Sequence, residues 1–251
     1  MTAKTSYRPG EPTWIDLATP DLEASLTFYQ GLFGWEVARG GEELGGYSMF
    51  QRDGANIAGI GPMMGADHEP AWSTYISVED AAKTAALVQD NGGEITMAPM
   101  EIMDFGCMAS FRDPSGAVIS VWQPKQHTGA QIREDEGTFT WNELTTRDLQ
   151  AVLPFYEALF GWQAHQTEDY TEFRLAGEAV GGCMQMPDTV PAEQPSFWLP
   201  YFTAGDPAGQ AERAVRLGGT ALLPFLDFGS GSCSIVEDPH GATFGLLTLK
   251  E

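Results

Sequence analysis

The sequence is poor in basic residues, in cysteine and in histidine, and it has no long apolar run. Only 13 lysine and arginine residues stand against 35 aspartate and glutamate residues, which gives a formal net charge of −22. A chain this acidic is repelled by phosphate-rich surfaces, so neither nucleic acid nor an anionic membrane is expected as a partner. A cationic ligand is compatible with the charge, and so is a solvated acidic surface that serves only solubility.

The cysteine content and the lack of long apolar segments further limit the class of protein and its cellular location. Cys107, Cys183 and Cys233 form no CxxC pair, which favours reduced, buried thiols over a disulfide framework. No apolar run approaches the ~18 residues of a membrane span. The opening MTAKTSYRPGEPT lacks the apolar stretch of a secretory signal, so a cytoplasmic location is expected, with non-standard export left open.

What the chain does have is an internal repeat. WIDLATPDLEASLTFYQGLFGW at 14–35 is matched by WNELTTRDLQAVLPFYEALFGW at 141–162. Further pairs follow in the same order and end with DPSG at Asp113 and DPHG at Asp238. Collinear repetition predicts two similar domains, 1–124 and 138–251, with residues 125–137 as a polar linker.

Each copy carries the signals of two βαβββ units. Four aspartates are placed as helix N-caps ahead of apolar residues at helical spacing, and these are Asp21, Asp80, Asp148 and Asp206. Gly34 and Gly161 are placed to end the first helix of each copy in a left-handed conformation. Pro154 predicts a late start or a kink in the second of these helices. The pattern therefore predicts an α+β fold with four such units.

The D-L-x-x-S/V-L-x-F-Y-x-x-L-F-G-W run and the later D-P-x-G turn, each present twice, resemble the vicinal oxygen chelate superfamily. That superfamily includes glyoxalase I, extradiol dioxygenases and bleomycin-resistance proteins. The more specific resemblance is to two-domain glyoxalase-like actinobacterial proteins, often labelled hydroxylases, and it extends from Pro12 to Leu249. It implies that curled mixed sheets form a cup in each domain, which holds the ligand and, in the enzymes, a metal.

The resemblance also implies metal-ligand positions, which this chain fills with other residues. The first position falls on Trp14 and Trp141, and an indole nitrogen is a donor that cannot ligate a metal. The remaining positions fall on residues without a strong ligand atom, which are Ser73, Ser120, Trp198, Gly245 and the glycines of the fourth strands. No metal and no cofactor is therefore expected.

Strand alternation places a carboxylate beside each of these tryptophans on the cup face, Asp16 next to Trp14 and Glu143 next to Trp141. Asp16 and Glu143 are the candidate catalytic residues, since a carboxylate in a partly dry cup can accept a donor, pair with a cation or abstract a proton. The candidates for ligand contact are Trp14, Trp141, Met63 with Met64, Ser73, Tyr75, Ser120, Trp122, Met184, Trp198 and Phe202. A packed core and structural hydrogen bonds would suit the same residues equally well. Because Ser73 is matched by Trp198, the second cup is expected to be the more filled by aromatic rings.

These features support three hypotheses. The first is a metal-independent protein, monomeric or homodimeric, that binds a planar apolar or cationic small molecule. The second is a metal-free lyase, isomerase or hydroxylase-type enzyme that uses Asp16 or Glu143 as a base on an aromatic or dicarbonyl substrate. The third is a metal-dependent glyoxalase or dioxygenase with its ligands elsewhere in the chain.

Overall fold

The computed structural model describes residues 4–63, 69–168, 170–188 and 190–250. In the first repeat the elements are β1 (Pro12–Thr19), α1 (Leu22–Phe33), β2 (Glu36–Arg39), β3 (Ser48–Arg52), β4 (Ala55–Pro62), β5 (Ala71–Ser77), α2 (Ala81–Asp90), β6 (Glu94–Ile102), β7 (Gly106–Arg112) and β8 (Val118–Pro124). In the second repeat they are β9 (Phe139–Thr146), α3 (Leu149–Phe160), β10 (Gln163–Gln166), β11 (Thr171–Leu175), β12 (Glu178–Gln185), β13 (Phe197–Thr203), α4 (Pro207–Arg216), β14 (Thr220–Asp227), β15 (Gly231–Glu237) and β16 (Thr243–Leu249). A short 3₁₀ helix, Glu42–Leu44, precedes β3. The four predicted βαβββ units are confirmed.

Local side-chain chemistry sets the helix ends. The four aspartates act as N-caps, and each accepts a backbone N–H from the residue three positions on. Gly34 and Gly161 are in the left-handed conformation that ends α1 and α3. Pro154 lies inside α3, which nevertheless begins at the position corresponding to the start of α1, so the expected late start does not occur. None of the helices in the described ranges has the length and apolar character that crossing a bilayer requires.

Each repeat forms one eight-stranded mixed sheet. The strand order is β2-β3-β4-β1-β5-β8-β7-β6 in the first repeat and β10-β11-β12-β9-β13-β16-β15-β14 in the second. At the centre, β1 runs parallel to β4 and antiparallel to β5, and β9 is placed in the same way between β12 and β13. The two units of a repeat therefore meet along the central strand that carries the repeated Trp and carboxylate.

The main hydrophobic cores lie between the repeats, on the helix side of the sheets. One core joins Tyr29 and Trp35 of the first repeat to Phe202 and Phe244 of the second. The other core joins the second half of the first repeat to the first half of the second, with α2 packed beside α3. Because both cores need residues from both repeats, burial of apolar surface holds the two domains together.

Hydrogen bonds between repeated motifs cross the same interface. The Tyr29 hydroxyl donates to Asp238 Oδ2 at 3.0 Å and accepts from Trp72 Nε1 at 2.9 Å. In the mirror arrangement Tyr156 donates to Asp113 Oδ2 at 2.8 Å. The F-Y motif of each repeat is thus bonded to the D-P-x-G turn of the other.

The tryptophans of the two FGW motifs make a second matched pair of contacts. Trp35 Nε1 donates to the Gly137 carbonyl at 2.8 Å, and Trp162 Nε1 donates to the Gly10 carbonyl at 2.7 Å. Both carbonyls belong to the segment that enters the other repeat's central strand. Much of the sequence repetition is therefore explained by a pseudo-symmetric interface between the domains.

Candidate functional site

The concave face of the first sheet carries Trp14 and Asp16 of β1 at its floor. Asp16 lies between Gly59 of β4 and Ser73 of β5, and Trp14 lies opposite Tyr75. Trp14 is buried, whereas Asp16 is half-buried. The strand alternation predicted for this pair is thus the one observed.

Two tyrosine hydroxyls hold the Asp16 carboxylate. Tyr75 and Tyr47 each donate to Asp16 Oδ2 at 3.1 Å, and Tyr47 also accepts from Trp14 Nε1 at 3.0 Å. The Tyr47 ring lies over Gly59 and Gly61, where a Cβ would collide with it. The glycines of the fourth strand therefore make room for the tyrosine that binds the acid.

The second repeat builds the same group around Glu143. Tyr170 donates to Glu143 Oε2 at 2.8 Å and accepts from Trp141 Nε1 at 2.9 Å, while Tyr201 donates to Oε1 at 3.0 Å. Gly182 leaves space for Tyr170, just as Gly59 does for Tyr47. The longer glutamate gives one oxygen to each tyrosine, whereas both tyrosines share one oxygen of Asp16.

Burial sets the proton affinity of both acids. Loss of solvation raises the pKa of Asp16 from 3.8 to about 6, against the opposing effect of hydrogen bonds from Tyr75 and Tyr47. Burial likewise raises the pKa of Glu143, opposed by Tyr170 and Tyr201. No lysine or arginine in the described ranges contributes to either pKa. Each cup therefore holds an acid without a lysine or arginine partner in the described part of the chain.

The tyrosines beside these acids stay protonated. Burial and the adjacent carboxylate raise the pKa of Tyr47 and of Tyr75 well above the ordinary value. The same causes raise the pKa of Tyr170 and Tyr201. The phenols are thus fixed hydrogen-bond donors, and the carboxylate is the group in each cup that can take up a proton or a cation.

The donor set does not fit a metal ion of the kind expected in metal-dependent relatives. The positions that would supply ligands carry indole, glycine, serine or aliphatic side chains, and Asp16 and Glu143 already accept hydrogen bonds from phenols. Divalent metals need several convergent imidazole, thiolate or carboxylate groups. Across 4–63, 69–168, 170–188 and 190–250, no three His, Cys, Asp or Glu side chains come together in this way.

Several predicted contact residues do lie in the first cup. Tyr75 and Trp122 form an apolar cluster with Trp14, packed against Met49, Ile102, Phe105 and Met108. Ser120 lies opposite Tyr75 and shares a 2.7 Å hydrogen bond with Ser110. Ser73 lies beside Asp16, and Met63 follows β4 half-buried. Met64 lies outside the described residues.

The prediction for the fifth strand of the second repeat is wrong by one residue. Glu143 lies opposite Leu199, and Trp141 lies opposite Tyr201. Trp198 therefore points to the helix side, where its Nε1 donates to the Tyr156 hydroxyl at 2.8 Å.

Phe202 is also fully buried in the helix-side core rather than in a cup. A slip of one position turns every side chain of a strand to the other face. The cup-facing residues of this strand are thus Leu199 and Tyr201. Met184 follows Gly182 on the cup side of β12 and is half-buried.

The tyrosines Tyr47 and Tyr170 were missed from the sequence, although a signal for them exists. Both begin a Y-S/T-x-F motif, YSMF and YTEF, that stands at the same distance before the glycine it will cover. A glycine on a cup-facing strand signals that another group approaches closely. The motif and the glycine together would have identified the partner of each acid.

The two cups differ, but the expected order is reversed. Trp141 is half-buried, whereas Trp14 is only 4% exposed. The linker lies across the mouth of the first cup, where the His127 and Trp14 ring centroids are 4.4 Å apart and Ala130 is fully buried. The second cup is lined by Leu199, Tyr201, Cys233 and Leu247, with Trp141 and Phe197 at its edge. The second cup is therefore the more open one.

An open groove of about 510 Å³ between α4 and β14 lies away from both cups. Its walls include Val215, Ala221 and Phe225, and its charged residues are Glu212 and Arg216, which pair with each other.

Fold and repeat together define a protein of the glyoxalase type. A family model described as "Glyoxalase/Bleomycin resistance protein/Dioxygenase superfamily" matches residues 12–121, and one described as "Glyoxalase-like domain" matches residues 141–247. The chain belongs to this superfamily, and the resemblance seen in its motifs is confirmed.

Two relatives match over nearly the whole chain. "Putative glyoxylase CFP32" of Mycobacterium tuberculosis is 36% identical over 261 residues, which cover 98% of each chain. "Anthracycline biosynthesis protein DauV" of Streptomyces sp. is 33% identical over 266 residues, which cover 98% of this chain and 96% of the relative.

Solved structures share the fold at lower identity. A Mn(II)-bound glyoxalase from Novosphingobium aromaticivorans has 15% identity and a TM-score of 0.66, with 97% of this chain and 84% of that one covered. The dioxygenase LapB of Pseudomonas sp. KL28 has 15% identity and a TM-score of 0.60, with 98% and 93% covered. These similarities establish the tandem cup fold alone.

Proposed function

We propose that the protein is a metal-independent small-molecule binding protein whose cups hold a planar compound with a cationic or hydrogen-bond-donating group. The observation that carries this proposal is the acid at each floor, Asp16 or Glu143, which is held by two phenols. Each acid faces aromatic walls, and no lysine or arginine among the described residues acts on its pKa. A ligand donor or cation would complete the hydrogen bonding of that acid.

The energetics favour such a ligand. A carboxylate that has lost solvation and lacks a cation is unfavourable in its charged form, as the raised pKa of Asp16 indicates. An ammonium or hydroxyl group on a ligand would recover part of that cost, and it would gain strength from the low local dielectric. Because burying the ionised carboxylate is unfavourable, each cup should select ligands that carry a hydrogen-bond donor or a positive charge.

The walls favour a flat partner. The N–H groups of Trp14 and Trp141 are already bonded to Tyr47 and Tyr170, so each indole can meet a ligand only through its apolar ring. The half-buried Trp141 presents more of that ring than the buried Trp14 does. Aromatic surfaces of this kind stack with planar rings. The name of the DauV relative connects it with anthracyclines, which contain a planar aromatic ring system.

The binding test uses daunorubicin, a planar anthracycline with an ammonium group, titrated into the intact protein after treatment with EDTA. We expect a Glu143→Gln variant to bind at least about tenfold more weakly, because the exposed cup loses its charge–charge contact. Glu157→Gln, which removes an exposed charge on α3, is the matched control and should bind normally. Binding that vanishes with EDTA and returns with a divalent metal would refute metal independence.

A second candidate is an enzyme that uses the acid as a general base, and the pKa of Asp16 near 6 favours it. An ionised Asp16 could take a proton from an activated C–H or O–H group of a bound aromatic or dicarbonyl substrate. Substrate depletion that falls at least about a hundredfold in Asp16→Asn would support catalysis. Unchanged ligand recovered from wild-type protein leaves binding as the function.

A further inference from the structure

The linker between the repeats closes over the first cup. The N–H groups of Lys125 and His127 both donate to the Phe105 carbonyl, at 3.0 and 3.1 Å, and the Ala130 N–H donates to the Thr13 carbonyl at 2.8 Å. Ala130 is fully buried in the cup's apolar cluster. The backbone is thus attached to both sides of the cup, and the intervening residues are held in place across it.

His127 is the polar side chain that this segment brings to the cup. Its ring meets Trp14 edge-on at 4.4 Å and Trp122 at 5.7 Å, while its carbonyl accepts from Trp122 Nε1 at 2.8 Å. Burial lowers the pKa of His127 to about 4, so the imidazole is neutral at neutral pH.

The Nε2 atom of His127 is buried, and no group in the described part of the chain bonds to it. A buried polar atom without a partner is destabilising, so binding of a complementary group there is favourable. The surrounding rings, Trp14 and Trp122, belong to the cup that holds Asp16. The unpaired nitrogen of His127 and the Asp16 carboxylate, which has no lysine or arginine partner among the described residues, therefore border the same aromatic cluster.

We propose that His127 is a ligand-contacting residue of the first cup, whose Nε2 atom hydrogen-bonds to a second polar group on a planar ligand that also bonds to Asp16. This inference rests on the proposed binding function and specifies its ligand. A hydroxyl suits Nε2 in either tautomer, because a hydroxyl both donates and accepts. The proposed ligand is therefore a flat aromatic compound with two hydroxyl groups, one for His127 and one for Asp16.

The second cup lacks this feature. Among the described residues, the histidine–aromatic ring contacts are those of His127 with Trp14 and Trp122, and none involves Trp141 or Tyr201 of the second cup. The two cups of one chain therefore discriminate differently, and only the first one should distinguish a dihydroxy compound from its monohydroxy analogue.

His240 provides a matched comparison elsewhere in the fold. Its Nε2 is also buried without a partner among the described residues, but it belongs to the D-P-x-G turn that follows β15. Unlike His127, His240 makes no ring contact with Trp14, Trp122 or another aromatic residue in the described part of the chain. A variant at this position therefore controls for the loss of an unpaired imidazole as such.

The test compares two planar anthraquinones by calorimetric titration in a Glu143→Gln background, which weakens the second cup. The probes are anthraflavic acid, with a hydroxyl at each end, and its monohydroxy analogue. His127→Phe should weaken anthraflavic acid binding about tenfold and leave the analogue unaffected, since one neutral hydrogen bond is lost. His127→Gln should retain part of the preference, and His240→Phe all of it.

Two outcomes separate the inference from the function beneath it. If His127→Phe weakens both probes equally while its thermal unfolding is unchanged, His127 only packs over the cup and the inference is overturned. If neither probe binds, or if Asp16→Asn in the same background has no effect on either, then the proposed function of this cup fails and the inference fails with it. A preference lost only on removal of the His127 nitrogen supports the proposal.

Discussion

Replacing Asp16 with asparagine should stabilise the protein at neutral pH and leave its stability almost unchanged in acid. Asparagine resembles the protonated acid, since its carbonyl can still accept the hydrogen bonds of Tyr47 and Tyr75. The substitution therefore removes the cost of a desolvated charge while keeping the contacts. It should also abolish ligand binding that depends on that charge.

The magnitude follows from the pKa of Asp16, which rises from 3.8 in an exposed setting to about 6 in the folded protein. One pKa unit is worth about 1.4 kcal/mol, so the ionised carboxylate costs the fold about 3 kcal/mol above pH 7. The folded state holds its proton more tightly than the unfolded chain. The stability contribution of Asp16 is therefore intact below about pH 4 and is lost as the pH rises through about 6.

Guanidinium unfolding of wild type and Asp16→Asn at several pH values measures this difference directly. The free energies of unfolding should coincide near pH 4 and diverge by about 3 kcal/mol near pH 7.5, with the variant more stable. Asp53→Asn is the control, because it removes an exposed carboxylate at a left-handed position that asparagine also tolerates. A gap between wild type and Asp16→Asn that is independent of pH, or a less stable variant at pH 7.5, would refute the raised pKa.

Two further predictions concern the interface and the floor of the cup. Tyr29→Phe and Tyr156→Phe should each lower the free energy of unfolding by about 2–3 kcal/mol, because each removes a hydrogen-bond partner from a buried carboxylate and from an indole N–H. Each variant should still unfold in one cooperative transition, and separate transitions for the two repeats would contradict this prediction. Gly59→Ala should displace Tyr47 and cost about 2 kcal/mol or more in thermal denaturation, whereas Gly205→Ala, where a Cβ meets nothing closer than 3.5 Å, should be nearly neutral.

The fold could be predicted because its signals are local. Each N-capping aspartate and each helix-ending glycine acts within a few residues of itself, and the repeat supplied every signal twice. The late helix start expected from Pro154 does not occur, because the N-cap at Asp148 and the apolar face of α3 outweigh the lost backbone hydrogen bond. The resemblance to a known superfamily then predicted that the sheets curl into a cup.

The site was harder to predict because its parts meet only in three dimensions. Asp16 and Glu143 were identifiable from strand alternation, but Tyr47 and Tyr170 reach them from the residue just before β3 and β11. His127 arrives through the path of the linker, which no periodicity encodes. The error at Trp198 shows how little separates the faces of a strand, since a shift by one residue exchanges cup for core.

The two repeats share their interface motifs but differ in the residues that line their cups, which suggests why the chain has two cups. The F-Y, FGW and D-P-x-G motifs are kept in both copies because each bonds to the opposite repeat, so a change in one would break a contact of the other. The acid with its two phenols is shared as well, although no such reciprocal constraint acts on it. The residues around that acid differ, with Ser73 against Leu199 and His127 in the first cup alone. An interface held constant while the cup walls diverge is what selection for two different ligands, or for one ligand bound at two affinities, would leave in the sequence.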